Sequence, residues 1–256
     1  MTLVRTALIT GATDGIGYET ARLLAAEGCA VIVHARSDER GEAALRRLVK
    51  DGVNPARLDL AVADFARFTE VATMAHLIAD AHPQIDILVN NASTAGDHKR
   101  VLTEDGHERT FQVNYLSHYL LTTMLERCLA NARIVNVSST VHRGSNIHWL
   151  DLNRNSRYTR GAAYAQSKLA MAMFANALPE FGPVGVKAVS VHPGLGRPSD
   201  DAAIVARLCS MRVINGGYYD EHLRLAPTSA EVQDRRSVER LWDVSSQLTG
   251  MGSALV

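Results

Sequence analysis

The stretch TGATDGIG, residues 10–17, follows a β-branched run, VRTALIT, and leads directly into a segment of helical period, YETARLLAAEG. A glycine turn between a strand and a helix narrows the possible folds sharply. Gly11 suits the tight turn out of the strand, Gly15 lets backbone approach a pyrophosphate, and Gly17 lets the helix pack closely. The N–H groups of Thr13, Asp14, Gly15 and Ile16 lie where a helix begins, so they and the helix dipole are available to phosphates. The spacing therefore predicts a dinucleotide site. Without the flanking strand and helix it would predict only a turn.

The same alternation continues along the chain. VRTALIT (4–10), CAVIVH (29–34), LDLAVA (58–63), DILVNN (86–91), RIVNVS (133–138) and VKAVSVH (186–192) read as strands. Between them, YETARLLAAEG, RGEAALRRLVKDG, FTEVATMAHLIADAH, the segment around HERTFQVNYLSHYLLTTMLERCLA, and AAYAQSKLAMAMFANAL read as helices. This is the α/β pattern of a doubly wound parallel sheet buried on both faces. At 256 residues and 46% hydrophobic content the chain can fill one large core. No repeat or Pro/Gly/Ser-rich linker interrupts it, which predicts a single domain over 1–256. Its cofactor half spans roughly 1–131 and its catalytic and substrate half roughly 132–256.

Composition removes several classes of partner. Lysine plus arginine equals aspartate plus glutamate at 27 each, so no broad field favours nucleic acid or an anionic membrane. Cys29, Cys128 and Cys209 are odd in number and far apart, and the ten histidines show no ligand spacing, so neither a disulfide framework nor a metal site is expected. The apolar run in MTLVRTALITGA is too short to span a bilayer, and a soluble, cytoplasmic protein is expected.

Two further clusters carry chemistry. The second strand ends HARSDER, with Ala35 where an acidic residue would accept hydrogen bonds from a ribose 2′-hydroxyl. Arg36 can fork two donors onto a 2′-phosphate and Ser37 can add a hydroxyl, favouring NADP(H); Arg36 could also be a solvated charge at a helix start. Tyr164 and Lys168, four apart in AAYAQSKLA, share one helical face, so the ammonium can make a phenolate more accessible. Ser138 and Ser139 arrive at the C-terminal end of the fifth strand, the edge where open α/β sheets bind ligands.

Taken in order, these segments resemble the short-chain dehydrogenase/reductase family over nearly the whole chain. TGATDGIG is similar to its cofactor turn and NNAS (90–93) to its N-N-A-G. Asn114 matches its helix asparagine, Ser139 its serine, YAQSK its Y-x-x-x-K, and HPG (192–194) its P-G. NVSSTVHRG, the run containing WLDL, and LWDVSSQLTG look most like the retinol-dehydrogenase-like reductases. The resemblance implies Tyr164 as general acid in reduction and Ser139 bonded to the substrate oxygen. Lys168 would lower the tyrosine pKa and hold the nicotinamide ribose, and Asn114 would position a water for proton relay. It also implies cofactor contacts from Asp64 and Phe65, which begin DFARFTEV, from Asn91, Ala92 and Ser93, and from Pro193, Gly194 and Leu195. A homodimer or homotetramer through the helices bearing Asn114 and Tyr164 is expected from the family.

The chain departs from the family pattern in two places. Ser93 replaces a glycine, and the threonine that commonly holds the carboxamide after P-G is missing, with Ser199 as a substitute if the loop shifts. SDDAAIVARLCSM begins only five residues after Gly194, capped by Ser199 or Asp200, and leads to a last strand in VINGGYYDEHL. The lid over the substrate is therefore expected to be shortened, with TVHRGSNIHWLDLNRNSRYTRG as a candidate cover; Trp149 and Tyr158 in it either reach the cleft or serve as packing residues. The expected activity is NADPH-dependent reduction of a bulky ketone or aldehyde. An NAD-linked alcohol dehydrogenase and a non-catalytic dinucleotide-binding sensor are the alternatives.

Overall fold

Strands built almost wholly from Val, Ile, Leu and Ala must be covered on both faces, and the sheet is arranged to do that. The computed structural model describes residues 4–251. β1 (Thr6–Ile9), β2 (Ala30–Ala35), β3 (Leu58–Val62), β4 (Ile87–Asn90), β5 (Arg133–Val137), β6 (Lys187–Val191) and β7 (Tyr218–Tyr219) form one sheet in the order β3-β2-β1-β4-β5-β6-β7. All of its pairings are parallel. Alternation along each strand feeds two cores. Leu8, Ile32, Leu88 and Ile134 enter one layer, while Ile9, Val31, Val89 and Val135 enter the other. From β1 the chain runs outward to β3 and then returns to the other side at β4, which opens a crevice at the C-terminal ends of β1 and β4.

The helices are α1 (Gly15–Ala26), α2 (Asp38–Lys50), α3 (Phe68–Ala81), α4 (Arg109–Phe111), α5 (Ser117–Met124), α6 (Arg160–Phe181), α7 (Pro198–Leu208), α8 (Ala230–Gln233) and α9 (Arg235–Leu248). The single helix expected around residues 107–130 is instead α4 and α5 joined by a π turn, Gln112–Leu116. Polar side chains account for the break. Gln112 Nε2 donates to Asp105 at 2.6 Å and Asn114 Nδ2 donates to the Thr94 carbonyl at 3.0 Å, tying the turn to neighbouring loops. The cap expected at Ser199 or Asp200 is also displaced. Arg197 is the N-cap of α7 and Pro198 occupies the first turn, where its missing N–H costs nothing.

α9, visible in the sequence only as a tail motif, is an amphipathic helix that lies on α5 and α6. Trp242 packs against Tyr119, Phe174 and Phe181 with ring centres 5.0, 6.0 and 5.6 Å apart, and Ser245 Oγ hydrogen-bonds the buried Tyr115 hydroxyl at 2.7 Å. This aromatic face is thus covered from within the chain, and association through it would require α9 to leave. Among the described residues, no helix is long and apolar enough to cross a membrane.

Candidate active site

A cavity of about 700 Å3 opens over the C-terminal edge of the sheet. Gly11, Thr13, Asp14, Gly15, Ile16 and Gly17 line it along the glycine turn, Arg36, Asp64 and Phe65 beyond β2 and β3, Asn91, Ala92 and Ser93 after β4, and Gly194 with Leu195 after β6. Ser37 and Pro193 stand outside this lining. So does Ser199, which is exposed and donates to Asp200 Oδ1 at 3.4 Å, so it does not take the place of the missing threonine.

The glycine turn is built for close approach. A Cβ on Gly17 would stand 2.3 Å from the Gly11 carbonyl oxygen and 2.5 Å from Asn91 Nδ2, so only glycine fits there. Asn91 Nδ2 in turn donates to the Thr10 and Gly11 carbonyls at 2.8 and 3.1 Å. Asp14 caps α1 by position but makes no side-chain cap bond, so the first N–H groups of α1 remain available to an anion. These features fit a dinucleotide pyrophosphate.

Arg40, in the first turn of α2, was not legible as a site residue, yet it lines the cavity with Arg36, which lies between β2 and α2. Its guanidinium pairs with Asp14 at 2.6 Å.

Behind the turn lies a stack of rings that sequence reasoning also missed. His34 Nδ1 accepts from the Gly11 N–H at 2.9 Å, and its Nε2–H donates to the Ala63 carbonyl at 3.0 Å. The His34 ring stacks on Phe65 at 4.4 Å, and Phe65 meets His118 edge-on at 5.0 Å. His118 Nδ1–H donates to the Asn114 carbonyl at 3.1 Å and its Nε2 accepts from Thr10 Oγ1 at 3.0 Å. Thr10 Oγ1 receives the Asn91 and Ala92 N–H groups at 2.8 and 2.9 Å. The ends of β1, β2 and β4 and the π turn are thereby locked together. Burial holds both imidazoles neutral, lowering His34 to about 4 and His118 to about 3, the latter with help from the charge of Lys168.

Ser139, Tyr164 and Lys168 come together between β5 and α6, next to the cavity lining rather than within it. Ser138 Oγ fastens α6 to β5 by donating to the Lys168 carbonyl at 2.7 Å. Burial pushes the Tyr164 phenol up, and a hydrogen bond with Ser139 opposes that rise. Lys168 Nζ lies 5.5 Å from the Tyr164 ring centre but donates to the Val137 carbonyl at 3.0 Å. Burial is the largest influence on the phenol, with Ser139 opposing it. Asn114 Oδ1 accepts from the Thr94 N–H at 2.7 Å and its Nδ2 donates to Ser167 Oγ at 2.9 Å, so its side chain clamps the loop after β4 to α6.

Burial alone lowers Lys168 from 10.5 to about 8, so a charged Lys168 costs stability at neutral pH, and the cost disappears as pH rises from 8 to 10.5. Lys168→Met should raise stability at pH 7 by about 2 kcal/mol, seen as a higher Tm, while turnover collapses.

Of the two alternatives for Trp149 and Tyr158, the structure shows packing. Trp149 packs against the core beneath the Arg240 guanidinium, 4.5 Å from its ring centre, and the Tyr158 hydroxyl donates to the Asp97 carbonyl at 3.0 Å. Neither ring lines the cavity, because each is held by its own neighbours on the far side of the segment.

This parallel sheet, glycine turn and Ser–Tyr–Lys cluster define a nucleotide-dependent oxidoreductase. The pattern of the short chain dehydrogenase family matches residues 5–203, and the chain belongs to that family. Mouse retinol dehydrogenase 13 is 32% identical over 290 positions, covering 98% of this chain and 85% of that protein. A Streptomyces sp. (strain C5) protein named "Putative daunorubicin C-13 ketoreductase DnrU" is 32% identical, covering 96% of this chain and 93% of that protein. A crystal structure of an uncharacterized protein from Mycobacterium Paratuberculosis superposes with a TM-score of 0.81 at 31% identity, covering 96% of this chain and 93% of that one. Salutaridine reductase from Papaver somniferum shares the fold at a TM-score of 0.69 and 22% identity, covering 84% of this chain and 99% of that one.

Proposed function

We propose that the chain is an NADPH-dependent reductase of bulky, ring-containing ketones or aldehydes. The observation that carries this reading is Ser139 set against the Tyr164 phenol with Lys168 buried 5.5 Å from its ring centre, next to a cleft whose opposite end presents Arg36 and Arg40. The nicotinamide dinucleotide supplies hydride when bound. The residues of the chain do the rest: the α1 N-terminus and glycine turn receive the pyrophosphate, and Asp64 and Phe65 border the adenosine end. Tyr164 delivers a proton to the carbonyl oxygen while Ser139 holds that oxygen. Asn114 keeps the loop and α6 in register around them.

Two observations support a bulky substrate. The loop after β6 passes into α7 within a few residues and Leu195 is 94% exposed, so no helical lid lies over that side. Two relatives carry names that point to large substrates, a retinol and an anthracycline-type ketone. A panel of carbonyl compounds assayed by NADPH consumption should therefore give a higher kcat/KM for polycyclic ketones than for short-chain aldehydes, which a wide cleft positions poorly. A clear preference for small aldehydes would overturn this reading.

NAD is a second reading, favoured by the engagement of Arg40 with Asp14 at 2.6 Å. Direct binding separates the two. A charge-assisted hydrogen bond is worth ~1.5–3 kcal/mol, so Arg36→Ala should narrow a preference for NADPH over NADH by about ten- to a hundredfold. Equal dissociation constants in the unaltered protein would favour NAD.

A further inference from the structure

Asp201, in the first turn of α7, lines the cavity and is only 7% exposed. Among the described residues its carboxylate accepts no hydrogen bond and pairs with no cation. The nearest candidate, Arg197, turns instead to the exposed Asp200 at 3.0 Å. The chain clears space for this carboxylate. A Cβ on Gly194 would fall 2.6 Å from Asp201 Oδ1 and one on Gly196 would fall 3.3 Å from it, so both glycines leave room for the oxygen against the loop after β6.

The sheet order fixes which end of the cleft this is. Arg36 and Asp64 follow β2 and β3 on one side of the crevice, whereas Ser139 and Gly194 follow β5 and β6 on the other. A dinucleotide with its adenosine over the first pair lays its nicotinamide toward the second. A carboxylate that faces the cleft without a protein partner is available to a donor or a positive charge there, and the nicotinamide end offers both: an amide NH2, and a ring that is cationic when oxidised.

We propose that Asp201 anchors the nicotinamide carboxamide and favours the oxidised ring, as a positioning group on the cofactor side of the site. This rests on the dinucleotide reading above. A carboxylate beside the ring stabilises the positive charge that develops as hydride departs, so it biases the site toward reduction of the carbonyl.

Binding measurements test this without turnover. Calorimetric titrations would compare NADP+, NADPH, the 3-acetylpyridine analogue of NADP+, which lacks the amide NH2, and 2′-phospho-ADP-ribose, which lacks the ring. If the unaltered protein prefers NAD, the series without the 2′-phosphate replaces these. The unaltered protein should favour NADP+ over the acetylpyridine analogue by about ten- to a hundredfold, the worth of one charge-assisted hydrogen bond. Asp201→Ala should reduce that ratio to within about threefold and leave 2′-phospho-ADP-ribose affinity unchanged, which also shows that the variant is folded. The isosteric Asp201→Asn should weaken NADP+ relative to NADPH by about tenfold. Both ratios persisting in both variants would overturn the proposal. Failure of the unaltered protein to bind either nucleotide fragment would instead overturn the dinucleotide reading.

Discussion

Tyr164→Phe should lower kcat by a hundredfold or more, within the ~10²- to 10⁴-fold range of general acid catalysis, while NADPH binds with nearly unchanged affinity. The phenol is pushed up by burial, so it stays protonated through neutral pH and is a ready donor to a carbonyl oxygen. The reductive rate should accordingly be flat across neutral pH. The oxidative rate, which needs the phenolate, should climb toward alkaline pH. Ser139→Ala removes the bond that opposes the rise, so it should shift the oxidative profile to higher pH as well as slow the reaction. Single-turnover measurements with saturating cofactor separate these effects from binding. A Tyr164→Phe protein retaining more than a tenth of kcat would place the proton donor elsewhere.

Acid should unfold the protein through the two rings behind the glycine turn. His34 and His118 titrate near 4 and 3 in the folded chain, against an ordinary value of 6.5. The unfolded chain therefore takes up protons first as pH falls. Their contribution is complete above about 6.5, shrinks with each unit below it, and is gone once pH passes the folded values. At ~1.4 kcal/mol per unit, the pair contributes up to about 8 kcal/mol, a large share of the ~5–15 kcal/mol typical of a domain. Urea midpoints measured from pH 7 to 4.5 should fall steeply. His34→Leu should flatten part of that slope but lower stability at pH 7 by ~1–3 kcal/mol, because the Gly11 N–H loses its acceptor. Midpoints that stay constant from pH 7 to 5 would show that the rings are not buried as described.

The strands were legible because each is a short apolar run ended by glycine or polar residues, and β1 to β6 fall within a residue or two of the expected segments. The glycine turn, Arg36, Asp64 and the Ser139, Tyr164 and Lys168 set were legible because strand ends and helical spacing bring them to one edge. Asp201 and His34 were not, since their significance lies in what surrounds them. An aspartate in the first turns of a helix reads as dipole compensation, and a histidine at a strand end reads as ordinary core. Only the empty neighbourhood of the first and the stacked Phe65 of the second distinguish them. α9 was missed as an element because its apolar positions, Val238, Leu241 and Trp242, are sparse among charges, and their meaning depends on the aromatic face of α5 and α6. A long loop carries no period from which orientation can be read, so the sequence leaves Trp149 and Tyr158 between the cleft and the core.

The brevity of the chain between Gly194 and Pro198 makes the protein a receptive host for grafting. α7 is held in place by its packing against α1, not by the loop that leads into it, and the loop residues 195–197 are exposed. Lengthening a flexible loop costs only about 0.6 kcal/mol per doubling, so extra residues inserted there should leave the sheet and the glycine turn undisturbed. Segments of different length and polarity at this one point would form a library of covers over a fixed reaction centre, and selection among them would show how far a cover sets this oxidoreductase's choice of substrate.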